Sequence, residues 1–328
     1  DNALLAAPAF DDLDAEVAAI VERHEDADAA VAAIRMMRRR EVLRMGMGSI
    51  VGVIDLEQVG DGLTAVTRAA LTGFLNVAMR DVHDVEFGIV GMGRFGGGEL
   101  TFGSDADVMF VFRPTSADTE GANRYADVVA ARLAEYSSDA RLALELDLDL
   151  RPEGKNGPKV RSLESYASYY ERWSEVWESQ ALLRAAPIAG SPTLLADFFS
   201  LIDPLRYSVE HTDEDAREIK RIKARVEAER LPQGADPARH LKLGRGSLSD
   251  VEWTVQLLQI LHGGAHPELR TPRTLEALTR AAEIGLVSTE DAARLSDAWI
   301  LASQIRSALV LWGSGAKDVL PQDIVDLD

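Results

Sequence analysis

The sequence predicts an α+β protein, with a mixed α/β core at about residues 83–165 between an N-terminal helical segment and a C-terminal helical bundle. Three observations support this class. Two short apolar runs, 87–90 and 108–112, flank a glycine-rich segment and have the length of buried strands. Apolar residues recur at helical spacing through residues 1–85. The same spacing fills the chain beyond residue 190, so the sheet is expected in the middle.

The predicted organisation has four parts: a helical lead-in at 1–82, an α/β domain at 83–190, a helical bundle at 191–315 and an acidic tail at 316–328. The turn-forming residues Ala189-Gly-Ser-Pro192 set the boundary between domain and bundle. Because the chain starts and stops without natural landmarks, we expect a piece of a longer protein. We expect the acidic tail to be disordered or part of a linker.

A run of three arginines, Arg38-Arg39-Arg40, lies on the second predicted helix of the lead-in, Asp28–Met45. Such a run invites a nucleic-acid interpretation, but arginines on an amphipathic helix usually form a solvated or salt-bridged face. The overall charge favours the second interpretation, because 35 Lys and Arg against 54 Asp and Glu leave a net charge of −19. A chain of this charge repels phosphate backbones, so no nucleic-acid partner is expected.

Cysteine is absent, which excludes disulfides and thiolate metal sites and fits a reducing compartment. No apolar run approaches the roughly 18 residues of a membrane-spanning helix, and no signal peptide is visible. We therefore expect a cytoplasmic protein with no membrane partner.

The most informative stretch runs from Phe87 to Phe112, where six glycines lie between the two predicted strands or at their ends. Ser104-Asp105-Ala-Asp107 leads into the second strand, and residues i and i+2 of a strand share a face. Two carboxylates on one face suit Mg²⁺, which prefers oxygen ligands, and a glycine-rich loop offers N–H groups to phosphate. A lone Asp-x-Asp is usually a pair of solvated aspartates. This combination instead indicates metal-assisted nucleotidyl transfer.

A second acidic segment, Leu142–Leu150, alternates apolar and acidic residues as a strand with one polar face does. Glu145, Asp147 and Asp149 share that face with Arg151. A third carboxylate from a neighbouring strand would share the metal that activates the attacking hydroxyl, or would take its proton. The alternative is an edge strand with a solvated acidic face.

The string Gly-x-Gly-Arg-x-Gly-Gly-x-Glu-Leu-x-x-x-Ser-Asp-x-Asp-x-x-Phe, from Gly91 to Phe110, resembles the signature of DNA-polymerase-β-type nucleotidyltransferases. More narrowly, it resembles the glutamine synthetase adenylyltransferases, whose chains carry one half that adds AMP to glutamine synthetase and one half that removes it. Two later motifs extend the resemblance over nearly the whole chain: Trp177-Glu-x-Gln-Ala-Leu-x-Arg184-Ala, and Lys242-Leu-Gly-Arg-Gly-Ser-Leu-Ser-Asp250-Val-Glu252.

The resemblance implies a polymerase-β-type fold in which Asp105 and Asp107 hold two Mg²⁺ ions and Asp147 completes the carboxylate set. The family pattern is Asp-x-Arg-Leu-Arg-Pro-x-Gly, and this chain departs from it with Asp149 at the first arginine. The following Leu-Arg151-Pro fixes the register and favours Asp147 over Asp149 as the third carboxylate.

Further residues are implied around the phosphates of ATP: Gly96, Gly97, Ser104, Arg151, Lys155 and Arg184. Arg151 and Lys155 lie in the turn-rich loop 151–158, for which a plain hairpin loop is the alternative. Arg184, on a helix predicted at Tyr166–Ala185, would bind phosphate or form a structural ion pair. Around Lys242–Glu252 the capping boxes Ser247 with Asp250 and Ser249 with Glu252 are an ordinary alternative to a functional role.

The implied activity is transfer of AMP from ATP to a tyrosine hydroxyl of glutamine synthetase, with release of pyrophosphate. The segment Glu99-Leu-Thr-Phe-Gly-Ser-Asp105 favours the adenylylating, C-terminal half over the half that removes AMP with orthophosphate. Uridylyltransfer to a PII-type signalling protein shares the core motif and stays open, with PII as a possible partner. A polynucleotide transferase is disfavoured by charge, and a non-catalytic regulatory half would lack some of the three carboxylates.

Overall fold

The structure, a computed structural model, describes residues 5–313 and 318–320. Its described residues form twelve α-helices and five β-strands. In chain order these are α1 Phe10–Arg23, α2 Ala27–Ile50, α3 Leu56–Ala78, β1 Val85–Gly91, α4 Gly93–Gly96, β2 Ala106–Pro114, α5 Thr119–Ser137, β3 Leu146–Asp147, β4 Val160–Ser162, α6 Leu163–Trp173, α7 Val176–Leu182, β5 Ala186–Gly190, α8 Pro192–Arg206, α9 Asp213–Arg230, α10 Leu248–His262, α11 Thr274–Glu283 and α12 Thr289–Leu311.

The α+β class predicted from the sequence is confirmed, and the chain divides into two compact units. The first unit comprises residues up to 100 and 104–205, and the second comprises 101–103 and the residues from 206 onward. The predicted boundary at residue 190 precedes α8, whereas this division places nearly all of α8 in the first unit.

The sheet of the first unit is mixed, with the strand order β3-β2-β1-β5 and with β4 also paired to β2. β1 is antiparallel to β2 and β5, whereas β3 and β4 run parallel to β2. The sequence patterns predicted β1 and β2 but missed β4 and β5. Both missed strands are at most five residues long, too short for a clear period-2 signal.

One core cluster of the first unit joins the sheet to α6 and α8. The Tyr166 hydroxyl, fully buried in this cluster, donates to the carbonyl oxygen of Phe110 at 3.1 Å. Burying each large apolar side chain contributes roughly 1.5–3 kcal/mol, so α8 is an integral part of this unit. The cluster contains Val90, Met92, Met109, Val111, Tyr166, Tyr170, Leu182, Leu194, Phe198 and Ile202, among others.

The lead-in helices begin at side-chain caps. Asp26 accepts from the Ala29 N–H at 2.8 Å at the start of α2, and Asp55 and Gln58 form a capping box on α3. Ile34 lies in the buried face of α2 as its spacing predicts. Leu43, also expected on the apolar face, is instead 64% exposed.

Two predicted elements are wrong in extent. The predicted helix Tyr166–Ala185 is two helices, because Glu175 has an extended backbone and caps α7 in a capping box with Glu178. The predicted strand over 142–150 is reduced to the two residues of β3, since Asp149 and Leu150 lie in a turn.

The second unit is helical. Thr212 caps α9, and Val255, Ala277, Leu278 and Ala292 form a core between α10, α11 and α12. Most of the predicted acidic tail lies outside the described residues. Its described part, 318–320, pairs with 239–241, including an isolated bridge between Val319 and His240. None of the helices within residues 5–313 is long and apolar enough to cross a membrane.

Candidate active site

The register between β2 and β3 places two of the predicted catalytic carboxylates side by side. Asp107 and Asp147 are direct partners in this parallel pair, and the Ala106 N–H donates to the Glu145 carbonyl oxygen at 2.8 Å. Neighbouring strands lie about 4.8 Å apart, so the two Cα atoms are adjacent. Asp105 precedes β2 by one residue and is exposed. The backbone therefore brings three acidic residues, separated by up to 42 positions in sequence (147 − 105), to one edge of the sheet.

A cleft of about 390 Å³ opens at this edge. It combines carboxylates with basic side chains, as expected for a site that takes both a cation and phosphates. Its lining residues include Asp105, Glu145, Asp147, Asp149, Arg151, Lys155 and Lys159.

Gly93 lies against the Asp107 carboxylate. The Met92 N–H donates to the Asp107 carbonyl oxygen at 2.8 Å, which ties the start of α4 to β2. Gly93 has a φ of +51°, and a Cβ atom at this residue would lie 2.3 Å from Oδ2 of Asp107. Glycine is therefore required twice over, for the left-handed backbone and for the space that the carboxylate fills.

The structure distinguishes Asp147 from Asp149. The Asp149 backbone N–H donates to Oδ1 of Asp147 at 2.7 Å, which fixes the orientation of the Asp147 carboxylate from the following turn. Oδ2 of Asp149 instead lies 3.2 Å from Nζ of Lys155, in an ion pair at the surface. Asp149 thus pairs within the loop 151–158, with Lys155 as its partner.

Gly96 and Gly97 lie at the tightly packed C-terminal end of α4. A Cβ atom at Gly96 would lie 1.9 Å from the Arg184 carbonyl oxygen and 2.5 Å from that of Gly91. Gly97 is buried, follows α4 and donates to the Gly93 carbonyl oxygen at 3.1 Å. Ser104 is half-buried directly before Asp105. For Gly96 the structure shows a packing requirement, and contact of these residues with phosphate stays a prediction.

Arg184 follows α7 rather than lying within a long helix, and its side chain is buried. Its guanidinium pairs with the buried Glu99 carboxylate at the end of the glycine-rich segment. Of the two roles that the sequence left open for Arg184, the structure shows the ion pair. This pair joins the glycine-rich turn to the residues that lead into β5.

Arg151 is buried and holds its own loop. Its guanidinium donates to the carbonyl oxygens of Leu148 at 2.7 Å, Gly157 at 2.9 Å and Lys155 at 3.2 Å. These bonds keep the loop closed beside the cleft, and the exposed Lys155 side chain extends from it. Among the two basic residues predicted to meet the triphosphate, Lys155 has the accessible head group.

The three carboxylates form a candidate site for a divalent cation. Asp105, Asp107 and Asp147 offer only oxygen donors, the ligand type that Mg²⁺ selects, and the strand register places them at one edge. Across residues 5–313 and 318–320, no three His, Cys, Asp or Glu side chains are already gathered as a ligand set. The donor chemistry and the backbone placement fit a divalent cation.

Sequence reasoning missed Gly93 and Lys159 as residues of this site. The Gly91-x-Gly93 spacing directly after an apolar strand was the available signal for Gly93. Lys159 directly follows the turn-rich loop 151–158 and lines the same cleft as Lys155. Its position beside β4 was invisible because that strand was not predicted.

The Lys242–Glu252 motif lies at the start of α10. The predicted capping boxes do not form: Ser247 makes no side-chain cap, and its hydroxyl donates to the Lys242 carbonyl oxygen at 2.7 Å. Asp250 instead forms an ion pair with Lys223 of α9, and Glu252 accepts from the Trp299 indole N–H at 3.3 Å. The motif therefore connects α9, α10 and α12.

Comparison with known families agrees with this geometry. The model of the glutamate-ammonia ligase adenylyltransferase family matches residues 1–200, which contain the whole sheet and the three carboxylates. The chain belongs to this family. A second model, GlnD PII-uridylyltransferase, matches residues 218–327.

Curated relatives support the same assignment. A bifunctional glutamine synthetase adenylyltransferase/adenylyl-removing enzyme of Leifsonia xyli is 57% identical over 95% of this chain and 31% of its own length. Enzymes of the same name from Streptomyces avermitilis and Mycobacterium tuberculosis are 49% and 44% identical, over 95% and 92% of this chain and 33% and 32% of their own lengths. The chain thus spans about a third of the length of these relatives.

Proposed function

We propose that this chain transfers AMP from ATP to a tyrosine hydroxyl of glutamine synthetase, and that it carries the adenylylating activity of its family. The observation that carries the proposal is the pairing of Asp107 with Asp147 across β2 and β3, beside the exposed Asp105. Membership of the family supports the choice of glutamine synthetase as the substrate protein.

In the proposed reaction the tyrosine oxygen attacks the α-phosphorus of ATP, the bond to the β-phosphate oxygen breaks, and pyrophosphate leaves. Asp105 and Asp107 would hold two Mg²⁺ ions, with Asp147 completing the set on the side of the attacking hydroxyl. When bound, these ions neutralise phosphate charge and favour the ionised hydroxyl.

The protein side chains position this chemistry. Gly93 leaves the space that the Asp107 carboxylate occupies, and the Asp149 N–H holds the Asp147 carboxylate. Lys155 and Lys159 line the cleft, where their charges would attract the triphosphate. Arg151 supports these groups by holding the loop closed through carbonyl oxygens.

Two other activities are kept as alternatives. Phosphorolytic removal of AMP, in which orthophosphate attacks the AMP phosphorus, ADP is released and the tyrosine hydroxyl is restored, would use the same carboxylates. The names of the relatives include an adenylyl-removing activity. Uridylyltransfer to a PII-type protein is favoured by a separate observation, the match of residues 218–327 to the PII-uridylyltransferase model.

The test incubates the chain with Mg²⁺ and either ATP or UTP labelled at the α-phosphate, in the presence of purified glutamine synthetase or purified PII protein. We expect label on glutamine synthetase from ATP, and none when Asp107→Asn replaces the native chain. Label on PII from UTP would instead support uridylyltransfer. Incubation of adenylylated glutamine synthetase with orthophosphate tests phosphorolytic removal, and release of ADP without any transfer of AMP from ATP would refute the adenylylating assignment.

A further inference from the structure

Two of the three consecutive arginines of α2 hold the connection that leads from α5 into β3. The Arg38 guanidinium donates to the carbonyl oxygens of Leu142 at 2.5 Å and Ala143 at 3.2 Å. Arg39 donates to both carboxylate oxygens of Asp139, at 2.8 and 3.0 Å. The Asp139 side chain is only 8% exposed, so this ion pair is shielded from solvent on one side. Hydrogen bonds from charged donors are roughly twice as strong as those between neutral groups.

The connection itself contains no helix or strand between residues 138 and 145. Its shape rests on a few backbone bonds: the Ser137 carbonyl oxygen accepts from the N–H groups of Asp139 and Leu144, both at 3.0 Å. Arg35, one turn before Arg38 on α2, donates to the last carbonyl oxygens of α5, on Glu135 and Tyr136. Helix α2 therefore contacts the end of α5 and, within the segment that follows, Asp139 and residues 142–143.

β3 directly follows this connection and is very short. The strand is two residues long and has a single pairing partner, β2. The bond from the Ala106 N–H to the Glu145 carbonyl oxygen, at 2.8 Å, is made by the last residue before the strand. A strand this short cannot fix its own register, because register is normally specified by several alternating contacts.

We propose that Arg38 and Arg39 are positioning residues that hold Asp147 opposite Asp107, acting through residues 139–145. The proposal rests on the function proposed above for Asp147. It assigns a role to a run of arginines that looked, in sequence, like a solvated or salt-bridged face.

The third arginine of the run supplies a matched control. Arg40 donates to Glu16 of α1, at 2.6 and 3.0 Å, and to Glu41 at 2.7 Å. It has the same chemistry on the same helix but makes these bonds within the lead-in. Glu41 keeps Arg44 as a second partner when Arg40 is removed.

Burial lowers the pKa of Arg38 to about 10, with desolvation the main cause, so Arg38 still carries its charge at neutral pH.

The experiment compares the native chain with Arg38→Ala/Arg39→Ala, Arg39→Lys and Arg40→Ala. Two quantities are measured: steady-state AMP transfer to glutamine synthetase, and amide hydrogen exchange in peptides covering 104–108 and 143–150. In the double variant we expect the turnover number to fall by at least about tenfold, with the KM for ATP within about twofold. Exchange at Ala106 and across 145–149 should accelerate by at least about tenfold, because two charged hydrogen-bond groups are lost.

Arg40→Ala should change neither quantity. Arg39→Lys should change both less than the double variant does, because it keeps Arg38 and a positive charge near Asp139. Unchanged exchange across 145–149 in the double variant would overturn the proposal. So would uniform acceleration in every peptide of the first unit, which would indicate a general loss of stability. If the native chain transfers no AMP, the proposed function fails, while the exchange measurement still decides whether these arginines hold β3.

Discussion

The contact between Gly93 and Asp107 gives the sharpest prediction about the site. In Gly93→Ala, the new Cβ would lie 2.3 Å from Oδ2 of Asp107, whereas ordinary contact begins near 3.4 Å. The carboxylate oxygen must therefore move by about 1 Å (3.4 − 2.3 = 1.1 Å). A displacement of about 1 Å at a reacting group can lower the rate by about 10²-fold. We expect at least that loss of AMP transfer.

Gly52→Ala is the matched control for backbone strain. Gly52 has a φ of +71°, and no heavy atom lies within 4 Å of the point that an alanine Cβ would occupy, so alanine there adds strain without a clash. Left-handed backbone at a non-glycine residue costs about 1–2 kcal/mol. Both variants should therefore lose similar thermal stability, on the order of 2–8 °C in Tm for a unit of this size.

The assay measures Tm by calorimetry and AMP transfer at saturating Mg²⁺ and ATP for both variants. The two variants share the strain of a left-handed alanine, so their Tm values should agree, while only Gly93→Ala displaces the Asp107 carboxylate and loses activity. If Gly93→Ala retained activity within about threefold of Gly52→Ala, the placement of Asp107 against Gly93 would be irrelevant to the reaction. A threefold difference corresponds to only about 0.7 kcal/mol of barrier.

Three further predictions follow from the same contacts. Asp147→Asn should lower turnover by at least about 10²-fold. Asp149→Asn should change turnover by about fivefold or less, because the exposed ion pair of Asp149 with Lys155 is worth at most about 1 kcal/mol. The opposite ranking in steady-state kinetics would assign the role of third carboxylate to Asp149. Arg184→Met should destabilise the first unit by about 3–5 kcal/mol in urea unfolding, because it leaves the Glu99 carboxylate buried without its guanidinium; a drop in ATP affinity with unchanged stability would instead favour phosphate binding. Burial raises the pKa of Glu178, so the folded state favours the protonated carboxyl group. Its contribution to stability should therefore be lost as pH rises from the unfolded pKa of about 4.3 towards the raised folded value. Glu178→Gln should remove this pH dependence of the unfolding free energy, and identical pH dependence in the variant and the native chain would contradict the raised pKa.

Helix positions could be predicted from the sequence because the signals are local. The predicted helix at Asp28–Met45 corresponds to α2, since apolar spacing and an acidic first turn act within a few residues. The errors have a local cause as well: the capping box of Glu175 and Glu178 interrupts an otherwise continuous helical pattern. The two carboxylates of Ser104-Asp105-Ala-Asp107 were likewise recognisable, because strand alternation fixes which residues share a face.

By itself, the sequence determined the α+β class, the Asp-x-Asp edge and the family resemblance, all of which depend on residues close together in the chain. Only the tertiary structure decided which residues that lie far apart in the chain contact each other. The register of β3 against β2 sets Asp147 opposite Asp107, Arg184 finds Glu99 at a distance of 85 positions, and Arg39 finds Asp139 at 100. Charged side chains have many possible partners in a sequence, and packing selects one of them because burial leaves an unpaired charge too costly.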